Sequence, residues 1–255
     1  MSAERLAPSA ERNFGLGASG EGRQVEGEGV GLKDRVASVL GGRIALQAAP
    51  DGFRRAAVLL PLYETEAGPH LVLTKRTESV PTHKGQISFP GGGFEESDGD
   101  LCATALREAE EEIGLRPRDV QVLGALDDTL TASTRHVVRP FVGMVPHPYP
   151  YRLDPFEIEY LIHLPIHELL CGAPFREELW ERDGRPYPVY FYEHEGRSIW
   201  GLTARILKQF IEVVGPTLCE AAPSGPREGN RAVAGDNGSR GGAVPETGMG
   251  YRGTR

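Results

Sequence analysis

Arg107-Glu108-Ala109-Glu110-Glu111-Glu112-Ile113-Gly114-Leu115 gathers four glutamates beside one arginine on a stretch with helical periodicity. At roughly 100° per residue, Glu108, Glu111 and Glu112 share one arc, and Cys102, Ala105, Leu106, Ala109 and Ile113 fill a neighbouring apolar arc. Asp100 to Ile113 therefore reads as the strongest helix of the chain, closed by Gly114 as a C-cap. One face can pack while three carboxylates converge beside it. Like charges at this spacing repel, and no lysine balances them, so the arc needs solvent or cations. Hard divalent cations such as Mg²⁺ suit it, because they take oxygen ligands and bridge to phosphates. Glu110 falls outside the arc and reads as a solvated surface residue, and Cys102 reads as a small core residue.

An acidic run alone also describes a solvated helix face, and a triple glycine alone describes a surface turn. Here the two occur together. Pro90-Gly91-Gly92-Gly93 reads as a loop whose backbone can approach a ligand closely, just ahead of the acidic helix. The run Arg107 to Leu115 resembles the REUxEExGU half of the Nudix signature, with Ala109 at the aliphatic position and Gly93 at the opening glycine. Gly99 stands where the general signature has a glutamate, and Asp98 precedes it. An aspartate nine residues before the arginine fits the coenzyme A pyrophosphatase subgroup. A second block is similar to that subgroup: Leu73-Thr74-Lys75-Arg76-Thr77, then His83-Lys84-Gly85-Gln86-Ile87-Ser88-Phe89-Pro90-Gly91-Gly92, looks like its LTKR and HxGQxxFPGG pattern. The likeness is dense from about Arg55 to Leu115, weaker to about Val214, and covers neither end of the chain.

The resemblance implies an α/β fold, the Nudix α/β/α sandwich around a mixed β-sheet, and metal-dependent hydrolysis of a diphosphate. On it, Glu108, Glu111 and Glu112 are the expected ligands of Mg²⁺ or Mn²⁺. Arg107, Glu108 and Glu111 are the expected catalytic group, with Arg107 orienting Glu108, and Glu108 alternatively positioning the water. Lys75, Arg76, His83 and Lys84, with Gly91, Gly92 and Gly93, are the candidates for binding the substrate's phosphates, and Gln86 reads as structural. Glu157 and Glu159 lie where the subgroup often carries a further acid. The expected substrate is coenzyme A or a derivative. Two alternatives are a Nudix hydrolase of another nucleoside diphosphate derivative, such as ADP-ribose or NADH, and a regulator that binds a nucleotide without cleaving it. Intact Arg107, Glu108, Glu111 and Glu112 count against the last.

Around this centre, 39% hydrophobic and 25% charged residues make an ordinary globular composition. A net charge of -8 disfavours nonspecific binding to nucleic acid. Cys102, Cys171 and Cys219 form no CxxC pair, which fits a reducing cytoplasm and suggests neither disulfides nor zinc. No signal peptide or membrane span is read, so the expectation is a cytoplasmic monomer or homodimer. Residues 1–31 and 216–255 read as tails too poor in apolar residues to fold, flanking a domain at 32–215.

Within the domain, helices are expected at Leu32–Leu40, Ile166–Leu170 and Leu202–Val214. Strands are expected at Ala56–Leu62, Leu71–Thr74, Gln86–Phe89, Val120–Leu126, Val137–Val145, Glu159–Leu164 and Tyr187–Tyr192. His163 and His167 have the spacing of metal ligands, but Pro165 between them argues for ordinary structural histidines. Trp180 and Trp200 read as packing residues.

Overall fold

A computed structural model of the chain describes residues 30–80, 83–131, 134–171, 175–182 and 184–219. The chain divides into two units, Met1–Ala221 and Ala222–Arg255, and every described residue belongs to the first. The expected tails therefore lie almost wholly outside the described residues. The elements run α1 (Leu32–Gly41), β1 (Arg54–Thr65), β2 (Gly68–Arg76), β3 (Ile87–Ser88), β4 (Gly91–Gly93), α2 (Leu101–Ile113), β5 (Gln121–Ala125), β6 (Thr129–Thr131), β7 (His136–Met144), β8 (Ile158–Pro165), α3 (Ile166–Leu170), β9 (Phe175–Arg182), β10 (Arg185–His194), β11 (Arg197–Trp200) and α4 (Gly201–Cys219).

The main sheet follows the path β3-β2-β1-β7-β5, with β4 on β1, β6 on β7 and β8 on β2. β1 and β7 are parallel, from Arg54↔His136 to Leu62↔Met144. The other pairings are antiparallel, which makes the sheet mixed. β1 and β2 are nearly continuous in apolar residues because both sheet faces are covered. Ala57, Leu59, Tyr63 and Val72 pack with Leu101, Ala105, Ala109 and Ile113 of α2. Leu60, Leu62, Leu71 and Leu73 pack on the opposite face, with Leu32, Val36 and Leu40 of α1 and Ile206, Leu207, Phe210 and Val214 of α4. The result is the α/β/α sandwich around a mixed sheet.

Three features depart from the sequence reading. First, the triple glycine is not a loop: Gly91–Gly93 pairs antiparallel with Ala56–Val58. A Cβ at Gly91 would lie 2.3 Å from the Ala57 carbonyl oxygen and 2.6 Å from Val58 Cα, so the glycine is what lets the strands meet. Second, α4 runs past Val214, the expected end of the last helix, and continues to Cys219. Burial of Leu218 in the core offsets the hydrogen bond that Pro216 cannot donate. Third, β9, β10 and β11 form a separate antiparallel sheet in the order β11-β10-β9, of which only β10 was expected. β9 has mostly exposed side chains, including Phe175, Leu179 and Trp180, so no buried face imposed a period-two pattern on its sequence.

Candidate active site

Local signals set the carboxylate helix in place. The Asp100 side chain caps α2 by accepting from Ala103 N at 2.8 Å. Gly114 closes it in the left-handed region (φ 67°), where a Cβ would come within 2.9 Å of Arg152 Cβ. Leu101, Ala105, Ala109 and Ile113 are buried against the sheet, which aims the carboxylate arc at the β4 edge of β1. Cys102 is half-buried, and burial pushes its thiol up.

Glu112 is the most enclosed of the three acids, with a side chain only 5% exposed. Arg76 Nη1 donates to its Oε1 at 3.0 Å, and Gly91 N donates to its Oε2 at 3.2 Å. Burial pushes its pKa up to about 8, opposed by the Arg76 charge and the Gly91 hydrogen bond and assisted by repulsion from Glu108 and Glu157. Burial also raises Glu108, against the neighbouring Arg107 charge. Glu111 is largely exposed, and Glu110 points to solvent.

Arg107 links the arc to the turn before the helix. Its Nε donates to Asp98 Oδ1 at 2.7 Å, its Nη2 lies 2.9 Å from Glu108 Oε1 and 3.1 Å from Gly93 O, and its Nη1 lies 3.1 Å from Glu111 Oε2. Asp98, whose side chain is 3% exposed, also accepts from Thr104 Oγ1 and Glu95 N. Gly92 sits so close that a Cβ there would meet Glu108 Oε1 at 2.4 Å.

The structure separates the two downstream acids. Glu157 joins the cluster through Arg76 Nη2 at 3.0 Å, whereas Glu159 faces Lys75 Nζ at 4.0 Å. Lys75 Nζ also donates to Gly85 O. Lys75 and Arg76 therefore hold carboxylates here and do not end a strand in open solvent. The Arg76 Nε is buried without a partner among the described residues. His83 and Lys84 are exposed, and His83 Nδ1 lies 2.9 Å from Gln86 Oε1. His163 pairs with the Tyr63 hydroxyl at 2.8 Å, and His167 stands exposed on α3, so the two do not converge. Trp180 and Trp200 pack 6.2 Å apart in the second sheet.

Among the described residues, the only cations paired with Asp98, Glu108, Glu111, Glu112 and Glu157 are the guanidiniums of Arg76 and Arg107. This excess of oxygen donors with uncompensated repulsion fits a hard divalent cation. Among the described residues no three acids, histidines or cysteines stand close enough together to cage a metal ion. Beside Glu108 opens a cleft of about 640 Å³ lined by Gly93 and Phe94, by Arg54 and Arg55 at the start of β1, and by His136 at the start of β7. The sequence reading did not single out Arg54, Phe94 or His136. Their only signal is position at the edges of strands whose pairing is long-range.

The NUDIX domain family matches residues 52–187, just over half of the chain, and the chain belongs to that family. It is a Nudix hydrolase, a pyrophosphohydrolase of nucleoside diphosphate derivatives, and the family generally employs divalent metal ions. An uncharacterized Nudix hydrolase of Photorhabdus laumondii, NudL, is 38% identical over 68% of this chain and 94% of its own length. NudL of Yersinia pestis is 39% identical over 63% of this chain and 80% of its own length. A solved Nudix hydrolase from Alicyclobacillus acidocaldarius overlaps 49% of this chain and 84% of its own at 20% identity, with a TM-score of 0.40. Among the described residues no helix is long and apolar enough to cross a membrane.

Proposed function

We propose that this chain hydrolyses the diphosphate linkage of coenzyme A or its derivatives to 4′-phosphopantetheine and adenosine 3′,5′-bisphosphate. In this reading Glu108, Glu111 and Glu112 hold Mg²⁺ or Mn²⁺, and the protein works in the cytoplasm as a monomer or homodimer. The first 31 residues and the chain beyond α4 are tails outside the catalytic domain. One observation carries the reading. Arg76, from the LTKR-like stretch, and Gly91, from the FPGG-like stretch, bond the same carboxyl, that of Glu112 on the signature helix. The blocks that resemble the coenzyme A pyrophosphatases thus converge on one group of the hydrolytic site.

A bound divalent cation supplies charge neutralisation for the diphosphate and a lowered pKa for its water. In the cleavage a water oxygen bonds to one phosphorus, and the bond from that phosphorus to the bridging oxygen breaks. The leaving phosphate ester carries away the electron pair. Glu108, which borders the cleft, is alternatively assigned to orient that water and accept its proton. Arg107, anchored on Asp98, holds Glu108 in place. His83 and Lys84, exposed beside Gly85, are assigned to the phosphates, with the Gly91–Gly93 backbone alongside.

The test is turnover of coenzyme A beside 3′-dephospho-coenzyme A, ADP-ribose and NADH, each with Mg²⁺, Mn²⁺ or EDTA and with products resolved by mass. The expected result is metal-dependent release of 4′-phosphopantetheine with preference for the 3′-phosphorylated substrate. Cleavage of ADP-ribose or NADH in preference would replace the substrate assignment while keeping the chemistry. Absence of any cleavage would overturn both.

A further inference from the structure

The cations nearest the carboxylate helix fall into two groups. Lys75, Arg76 and Arg107 are each engaged by carboxylates of the chain itself. Arg54 and Arg55 are exposed, line the cleft beside Glu108, and form no ion pair among the described residues. Their placement follows from the parallel pairing of β1 and β7. Arg54 is opposite His136, and Arg54 N bonds Arg135 O at 2.9 Å, so the starts of both strands lie at one edge of the sheet. Arg55 is further positioned by its guanidinium lying 3.8 Å above the centre of the Phe94 ring. Stacking covers the face of a guanidinium and leaves its in-plane N–H donors free for an oxyanion.

The same cleft carries Glu95 and the exposed Glu96, but the Glu95 carboxylate accepts from Asp98 N. It caps the Glu96–Asp98 turn in a reciprocal pair with Asp98. A volume of about 640 Å³ is enough for a nucleotide-sized moiety. We infer that Arg54, Arg55 and His136 form an anion subsite, which takes a phosphate monoester carried by the substrate in addition to its diphosphate. The inference rests on the reading above that Glu108, Glu111 and Glu112 hold the divalent cation that neutralises the diphosphate. It explains how a chain of net charge -8 selects a more highly charged substrate, through local arginines that form no ion pair among the described residues.

The experiment is calorimetric titration of the full chain, in constant Mg²⁺, with adenosine 3′,5′-bisphosphate, 5′-AMP and inorganic phosphate. Wild type is compared with Arg54→Ala, Arg55→Ala, the double variant and Arg55→Lys. Wild type is expected to bind the bisphosphate about tenfold or more tightly than 5′-AMP, the scale of one charge-assisted phosphate contact. The double variant should bring the two nucleotides to near parity with 5′-AMP binding unchanged, and Arg55→Lys should keep part of the preference. Equal binding of both nucleotides by wild type, or full preference retained in the double variant, would overturn the subsite. Tighter binding of inorganic phosphate than of either nucleotide would overturn it too, by indicating a free-anion site. Turnover of coenzyme A separates the two levels. Preference in binding without any turnover sinks the hydrolytic reading and leaves the subsite standing, whereas turnover with an unaltered preference in the double variant sinks the subsite alone.

Discussion

Asp98 and Arg107 are joined by two hydrogen bonds, Nε to Oδ1 at 2.7 Å and Nη2 to Oδ2 at 3.3 Å, in a pocket that leaves the Asp98 side chain almost without solvent. The guanidinium fork is thereby fixed before it reaches Glu108 and Glu111. Asp98 thus acts as a positioning residue for the arginine of the signature helix, one residue away from where the general signature has its glutamate.

The Arg107 hydrogen bond, the backbone donor at Glu95 and Thr104 hold the Asp98 carboxyl well below the usual carboxylate range. A depressed folded-state pKa contributes stability that is complete above the unfolded value of about 3.9 and is lost as pH falls toward the folded value. Asp98→Asn should therefore melt at a lower temperature than wild type, by an amount constant from pH 7 to 5 and shrinking below about pH 4. Melting curves across that range check it, and a gap that widened on acidification would refute the assignment.

Glu111→Gln and Glu112→Gln should each lower kcat by about a hundredfold or more, the scale of losing a ligand to a catalytic metal. Because Glu111 is largely exposed, its variant should melt close to wild type. Steady-state kinetics with saturating Mn²⁺ make the measurement, and normal turnover in both variants would remove these acids from the site.

Adjacent glycines should fail differently. Gly91→Ala forces a Cβ into the Ala57 carbonyl and Val58 backbone, so it should destabilise the fold by about 1–3 kcal/mol, as overpacking does. Gly92→Ala instead meets the Glu108 carboxylate, a movable side chain, so it should lower kcat while sparing most of the stability. Denaturant titrations beside kinetics separate the two, and equal stability losses would contradict the contacts described.

Phe210 is fully buried between α4 and the sheet, whereas Leu179 is 73% exposed on β9. Phe210→Ala should cost about 3–5 kcal/mol of unfolding free energy. Leu179→Ala should stay within about 0.5 kcal/mol. Urea unfolding of the two variants tests whether α4 covers one of the two apolar faces of the sheet as described.

The features legible in the chain itself were those carried by neighbours in sequence. The 3.6-residue spacing of Leu101 to Ile113 set both the packing face and the acid arc of α2, and Asp100 and Gly114 bounded it through backbone chemistry that is local. The apolar run at Ala56–Leu62 likewise announced a strand. What no local pattern contained was the long-range register. Gly91–Gly93 became a strand through pairing with β1, which at Gly91 comes too close for any side chain, and β9 is a strand whose exposed faces put no periodicity into its sequence. The same holds for the site. Arg76 and Glu112 are thirty-six residues apart. Arg54 and His136 meet across a parallel pairing. Sequence determined which acids share a helix face and set Arg107 beside them; only the sheet pairing brought Arg76 to Glu112, because hydrogen-bond register between distant strands is set by the folded whole and by no segment of it.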